Sequence, residues 1–79
     1  MRLDKFLKVS RIIKRRTVAN EACDAGRVIV NGKVARASYD VKIGDTIEIT
    51  FGVREFKAEV VSVTETVKKE DAAAMYKII

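Results

Sequence analysis

A chain of 79 residues with one cysteine and no histidine has room for one small domain, no intrachain disulfide, and none of the imidazoles that most general-base and zinc sites use. Its 48% apolar content excludes an intrinsically disordered chain, and no stretch is apolar for long enough to cross a membrane. The net charge of +5 is unevenly placed: residues 1–36 hold ten Lys or Arg against three acids and the remainder six against eight, a basic half suited to a polyanion joined to a mildly acidic one.

Leu3, Phe6 and Leu7 recur at helical spacing with Arg2, Lys5 and Lys8 opposite, which predicts a short amphipathic helix from Leu3 to about Ser10. Charges among these apolar residues interrupt the continuous core that a signal peptide needs. With a single cysteine as well, the expected compartment is the cytoplasm. Residues 11–16 form a basic connection anchored by Ile12 and Ile13. Thr17 is placed to cap the next helix, which carries Glu21 early and Val18, Ala19, Ala22 and Cys23 as its apolar face. On that face Cys23 is a small core residue, not a nucleophile. Gly26 stops the helix in the left-handed conformation.

Val28, Ile29 and Val30, then Asn31-Gly32, then Lys33, Val34 and Ala35 predict a tight β-hairpin, because both central turn residues need positive φ. Ile43-Gly44-Asp45 marks another turn. Ile47, Ile49 and Phe51 alternate with Thr46, Glu48 and Thr50, as in a half-buried strand. Gly52 allows a reversal. Phe56, Ala58 and Val60 alternate again, and Val61 and Val63 extend the run through a bulge or a change of face. Residues 70–76 are alanine-rich and predict a closing helix with Glu70 and Asp71 at its positive end. The expected fold class is α+β: two short N-terminal helices packed on a small, curved, mostly antiparallel sheet, with a short C-terminal helix. Without proline, linker or repeat, residues 1–79 read as one domain with a short tail over about 64–79.

Enzyme chemistry finds little support. The glycines at positions 26, 32, 44 and 52 stand where turns or caps want them, so none belongs to a phosphate-binding loop. Carboxylates such as Asp4 and Asp24 read as solvated or capping groups, and no cofactor or metal is expected. The basic cluster is different. Lys14, Arg15, Arg16 and Thr17 run straight into a helix N-terminus, where free N–H groups and the helix dipole favour phosphate. Adjacent arginines add bidentate contacts, Arg11 flanks the same spot, and Arg2 and Lys5 extend it from the first helix. Asn20, Glu21 and Asp24 occupy the second helix's open face, and two carboxylates there would repel a phosphate-lined groove. The helix therefore presents its N-terminus rather than its flank, which suits RNA shape and backbone better than a DNA major groove. Phe6, Phe51 and Phe56 fit core positions, which leaves no stacking platform for bases.

These residues resemble the S4 RNA-binding domain family. The resemblance is carried by the opening Met1-Arg2-Leu3-Asp4-Lys5-Phe6-Leu7, by Arg15-Arg16-Thr17, Ala22 and Gly26-Arg27-Val28, and then by Val30-Asn31-Gly32-Lys33-Val34 and Val41-Lys42-Ile43-Gly44-Asp45. It covers roughly residues 1–51. A copy without a catalytic partner domain, ending in Lys68-Lys69-Glu70 and Ala72-Ala73-Ala74-Met75-Tyr76, is most similar to the heat-shock protein 15 group and within it to the short bacterial RqcP branch. The resemblance implies binding to large ribosomal subunits blocked by peptidyl-tRNA, with 23S rRNA, peptidyl-tRNA and an RqcH-like alanine-tailing factor as partners, and a monomeric, non-enzymatic mode of action. Carried over by position, the RNA-facing surface is Arg2, Lys5, Arg11, Lys14, Arg15 and Arg16, with Thr17 at the helix start and Arg27, Asn31 and Lys33 at its edge. Arg16 is the first choice among them. Asp4 is expected to cap its helix or hold a neighbouring arginine. Two other readings stay open: a general tRNA- or mRNA-binding translation regulator, and a protein-interaction module that docks through the acidic half.

Overall fold

The computed structural model describes residues 1–64 and 68–79. Residues 65–67, near the start of the expected tail, lie outside them. Two helices, α1 (Leu3–Val9) and α2 (Arg16–Asp24), precede the hairpin of β1 (Val28–Val30) and β2 (Lys33–Val34). Then come β3 (Thr46–Phe51), β4 (Arg54–Val60), a 3-10 helix (Lys69–Met75) and β5 (Tyr76–Ile78). The strands form one open sheet in the order β2-β1-β3-β4-β5, with every neighbouring pair antiparallel.

One apolar cluster joins the layers. Leu3, Phe6 and Leu7 of α1 and Ala19 and Cys23 of α2 pack with Val28 and Val30 of β1, Ile47 and Ile49 of β3 and Val60 of β4. Cys23 sits among them, and burial pushes its thiol up to about 11, out of nucleophile range. Ile13 is buried and Ile12 packs against the cluster, so the basic connection is anchored as its pattern predicts.

The turn signals are realised in the backbone. Asn31 and Gly32 take φ of 53° and 83°, the doubly left-handed turn that matches strand twist. Gly26 takes φ of 74°; its N–H bonds the Cys23 carbonyl, and the Arg27 N–H reaches back to Ala22. That pair of bonds closes α2 as a Schellman motif.

Four expectations need correction. Thr17 does not cap α2: the extended residue at the cap is Arg15, and Thr17 lies in the first turn with Arg16, which the Asp4 carboxylate draws in. Val18 and Phe51, read as apolar-face and core residues, are exposed, Phe51 to 43%; both line an open hollow between α2 and the end of β3. The β4 strand ends at Val60, short of Val61 and Val63, while the bulge expected there is present. There the N–H groups of Val61 and Ser62 both bond the Met75 carbonyl, the two-on-one arrangement of a bulge. Finally, the closing helix is a 3-10 helix, and Tyr76–Ile78 adds a fifth strand against β4. Three residues per turn bring Ala72 and Met75 onto one buried face.

Candidate nucleic-acid interface

The first turn of α1 and the first half of α2 meet at Asp4. This carboxylate is buried, with only 3% of its side chain exposed. Arg2 grips it with two nitrogens, Nε to Oδ1 at 3.2 Å and Nη2 to Oδ2 at 3.3 Å. The Lys5 backbone N–H donates to Oδ1 at 2.8 Å, and Asn20 Nδ2 donates to Oδ2 at 3.2 Å. Arg16 Nε stands 3.5 Å from Oδ2. Arg16 and Asn20 share a face because they are four residues apart on α2. Sequence reasoning put Asn20 on the open face and missed this role, since nothing local in a helix marks a long-range acceptor.

One carboxylate therefore positions two guanidiniums and neutralises one charge. Arg2 and Arg16 keep 51% and 49% of their side chains exposed, so their outer nitrogens face solvent. Burial raises the Asp4 pKa, but the hydrogen bonds from Arg2, Asn20 and the Lys5 N–H, together with the Arg16 charge, outweigh it and hold the group below the ordinary carboxylate range. Beside this hub, Asp4, Arg16, Thr17, Asn20 and Glu21 line a shallow hollow of about 380 Å³.

The two helix starts differ. At α1 the Leu3 and Asp4 N–H groups bond the carbonyls of Tyr39 and Ala37. At α2 the side chain of Arg15 makes no capping bond, and the first helical bond is Ala19 N–H to Arg15. Among the described residues no acceptor meets the N–H groups of Arg16, Thr17 and Val18. Lys14 and Arg15, both exposed, precede this open end and pair with no carboxylate among the described residues. Arg11 ends α1 with φ of 63°, left-handed and exposed, and so turns the chain into the basic connection.

Of the ten predicted site residues, Arg2 and Arg16 are brought together on Asp4, with Thr17 beside them and Lys14 and Arg15 adjoining in the chain. The Lys5 backbone joins the same hub, and its side chain is half-buried. Three others lie elsewhere. Arg27 lines a hollow with Val18 and Phe51, and Asn31 and Lys33 line one beneath the hairpin. The Asn31 amide is committed to the fold: its Nδ2 donates to Asp45 Oδ1 at 3.0 Å, and its Oδ1 accepts from the Thr46 N–H at 2.9 Å.

Asp45 is the second buried carboxylate, and it also accepts from Tyr39 OH at 2.9 Å and from the Lys42 N–H at 3.0 Å. Burial raises its pKa; the bonds from the Lys42 N–H, Asn31 and Tyr39 and the Lys42 charge bring the net shift down. A folded-state pKa below the unfolded value adds stability above about pH 4, and that increment disappears as the pH falls through the depressed values. Urea unfolding at pH 7 and at pH 3 is therefore expected to show lower stability at pH 3. Asp45→Asn, less stable at pH 7, should have a flatter pH profile; an unaltered profile would remove Asp45 from this account.

The S4 domain family model matches residues 1–47, which span both helices, the hairpin and the start of β3. Over 79 residues the chain is 57% identical to the RQC P-site tRNA stabilizing factor of Streptococcus pneumoniae, covering all of this chain and 90% of that protein. It is 54% identical over 79 residues to the Bacillus subtilis protein of the same name, covering all of this chain and 92% of the other. The trimeric structure of heat shock protein 15 from Vibrio cholerae superposes with a TM-score of 0.91 at 29% identity, covering 100% of this chain and 81% of the other. With a family model that matches more than half of its length and relatives this similar over nearly their whole length, the chain belongs to the S4 domain family, in the group of RQC P-site tRNA stabilizing factors.

Proposed function

We propose that this chain is a non-enzymatic RNA-binding factor of the cytoplasm. It associates with obstructed large ribosomal subunits that carry peptidyl-tRNA, contacts 23S rRNA and tRNA, and supports RqcH-dependent alanine tailing of the stalled chain. The observation that carries this reading is the pair of half-exposed guanidiniums held on Asp4 beside the open N-terminus of α2. Guanidinium forks and unfilled N–H groups together suit phosphodiester oxygens. Because Asp4 already holds both side chains, binding costs little of the rotamer freedom that long arginines otherwise lose. The shared name of the relatives adds the ribosomal context. The mechanism is positional: the protein braces one state of the tRNA against rRNA and makes or breaks no covalent bond.

Cosedimentation tests it. The wild type is expected to travel with large subunits carrying peptidyl-tRNA, and Arg16→Ala to lose most of that association. The variant should stay folded, since Asp4 keeps Arg2, Asn20 and the Lys5 N–H. Undiminished association of Arg16→Ala would remove this surface from the interface. Association that survives nuclease digestion of the RNA would favour the protein-interaction reading.

A further inference from the structure

We propose that the hollow beneath the β1–β2 hairpin holds one unpaired RNA nucleotide, with its base against the exposed Val34 side chain and its flanking phosphates on Lys33 and Arg36. This rests on the RNA-binding reading and adds a second point of contact to it. The hollow measures about 590 Å³, within the range of about 300–1,000 Å³ usual for small-ligand sites. Val30, Val34 and Ala35 are aliphatic residues of its lining; Val30 and Ala35 are nearly buried, so Val34 supplies the open apolar surface. Val34 is 64% exposed on the two-residue edge strand, so an aliphatic face stands uncovered.

The backbone supplies polarity. Val34 lies opposite Ile29, while the next residue, Ala35, gives its N–H to Val28. In an antiparallel ladder hydrogen-bonded and non-bonded pairs alternate, so the Val34 N–H and C=O point away from β1 along the free edge. One donor and one acceptor side by side complement the edge of a nucleobase.

Charge selects the occupant. Lys33 and Arg36 are exposed and form no ion pair among the described residues. Among the described residues no acid is in the lining. Asp45 stands behind the wall with its oxygens taken by Asn31, Tyr39 and the Lys42 N–H, and Asp40 is paired with the chain's amino group. The hollow of about 260 Å³ beside Phe51 also has one aromatic residue in its lining, but Glu21 is there too and opposes a phosphate.

The test uses two fluorescently labelled RNA hairpins that differ by one single-nucleotide bulge, titrated with the full chain at low salt. Wild type is expected to bind the bulged hairpin at least about fivefold more tightly, through apolar surface buried on Val34. Val34→Ser and, separately, Arg36→Gln should bring that ratio close to one, with Val34→Ser leaving affinity for the paired hairpin unchanged. Arg16→Ala should weaken both and preserve the ratio. Equal wild-type affinities, or a preference that survives both hairpin variants, would overturn the inference while leaving RNA binding intact. Failure to bind either hairpin would overturn the RNA-binding reading itself.

Discussion

Replacing Lys14, Arg15 and Arg16 together by alanine is expected to lower affinity for structured RNA by roughly two to three decades at 0.1 M monovalent salt, and to reduce the slope of log K against log salt by about two to three units. Each cation on a phosphate releases condensed counterions, so the two effects have one origin and must move together. All three side chains are exposed, and among the described residues only Arg16 has a partner, Asp4, which retains its other donors. The fold should therefore survive, and unchanged circular dichroism would show that it has. As a control, Lys57→Ala with Lys77→Ala removes charge from β4 and β5 and should leave the slope nearly as in the wild type. An unaltered slope in the triple variant would place the interface elsewhere.

Phe6→Ala should remove a large share of the folded state's stability. Phe6 is fully buried at the centre of α1, in the cluster that binds both helices to the sheet. Truncating a core Phe costs about 3–5 kcal/mol, through lost transfer energy and the cavity left behind. A domain of 79 residues has in all only about 4–12 kcal/mol. Each kcal/mol shifts the Tm of a domain this size by roughly 4–8 °C, so a fall of more than about 12 °C is expected. Val53→Ala, in the fully exposed turn between β3 and β4, should change stability by no more than about 0.5 kcal/mol. Urea melts with equal m-values for Phe6→Ala and wild type, but separate midpoints, would confirm a pure loss of packing. A melt close to wild type would mean that the core closes without this ring.

Much of the N-terminal architecture is legible in the sequence because it is local. Asn31-Gly32 and Gly26 declare their positive φ by residue type, and the alternation in Thr46–Phe51 and Arg54–Val60 declares two strands with a shared buried face. The C-terminal end is not local. A stretch as short as Lys69–Met75 is too brief to be helical on its own, so its geometry follows from how Ala72 and Met75 meet the rest of the molecule. Tyr76–Ile78 is only three residues long and becomes a strand because β4 offers a free edge. Phe51 follows the β3 alternation faithfully and still emerges into solvent, because alternation reports a face and not where the covering layer stops.

The interface shows the same division. That residues 11–17 are basic and open a helix is visible from spacing; that Asp4 gathers Arg2, Arg16 and Asn20 is not, since the partners lie up to sixteen positions away. The Asp4 side chain, read only as a cap or a holder of one arginine, is the organising centre.

Asp45 has a consequence for dynamics. Asn31 and Tyr39 belong to different segments, the hairpin tip and the loop after β2, yet both hydrogen-bond to this one anion. The two walls of the hairpin hollow are thus tethered to a common post before any nucleotide arrives. A cleft stiffened in this way loses little conformational entropy on filling, which favours fast, shape-selective capture over slow induced closure.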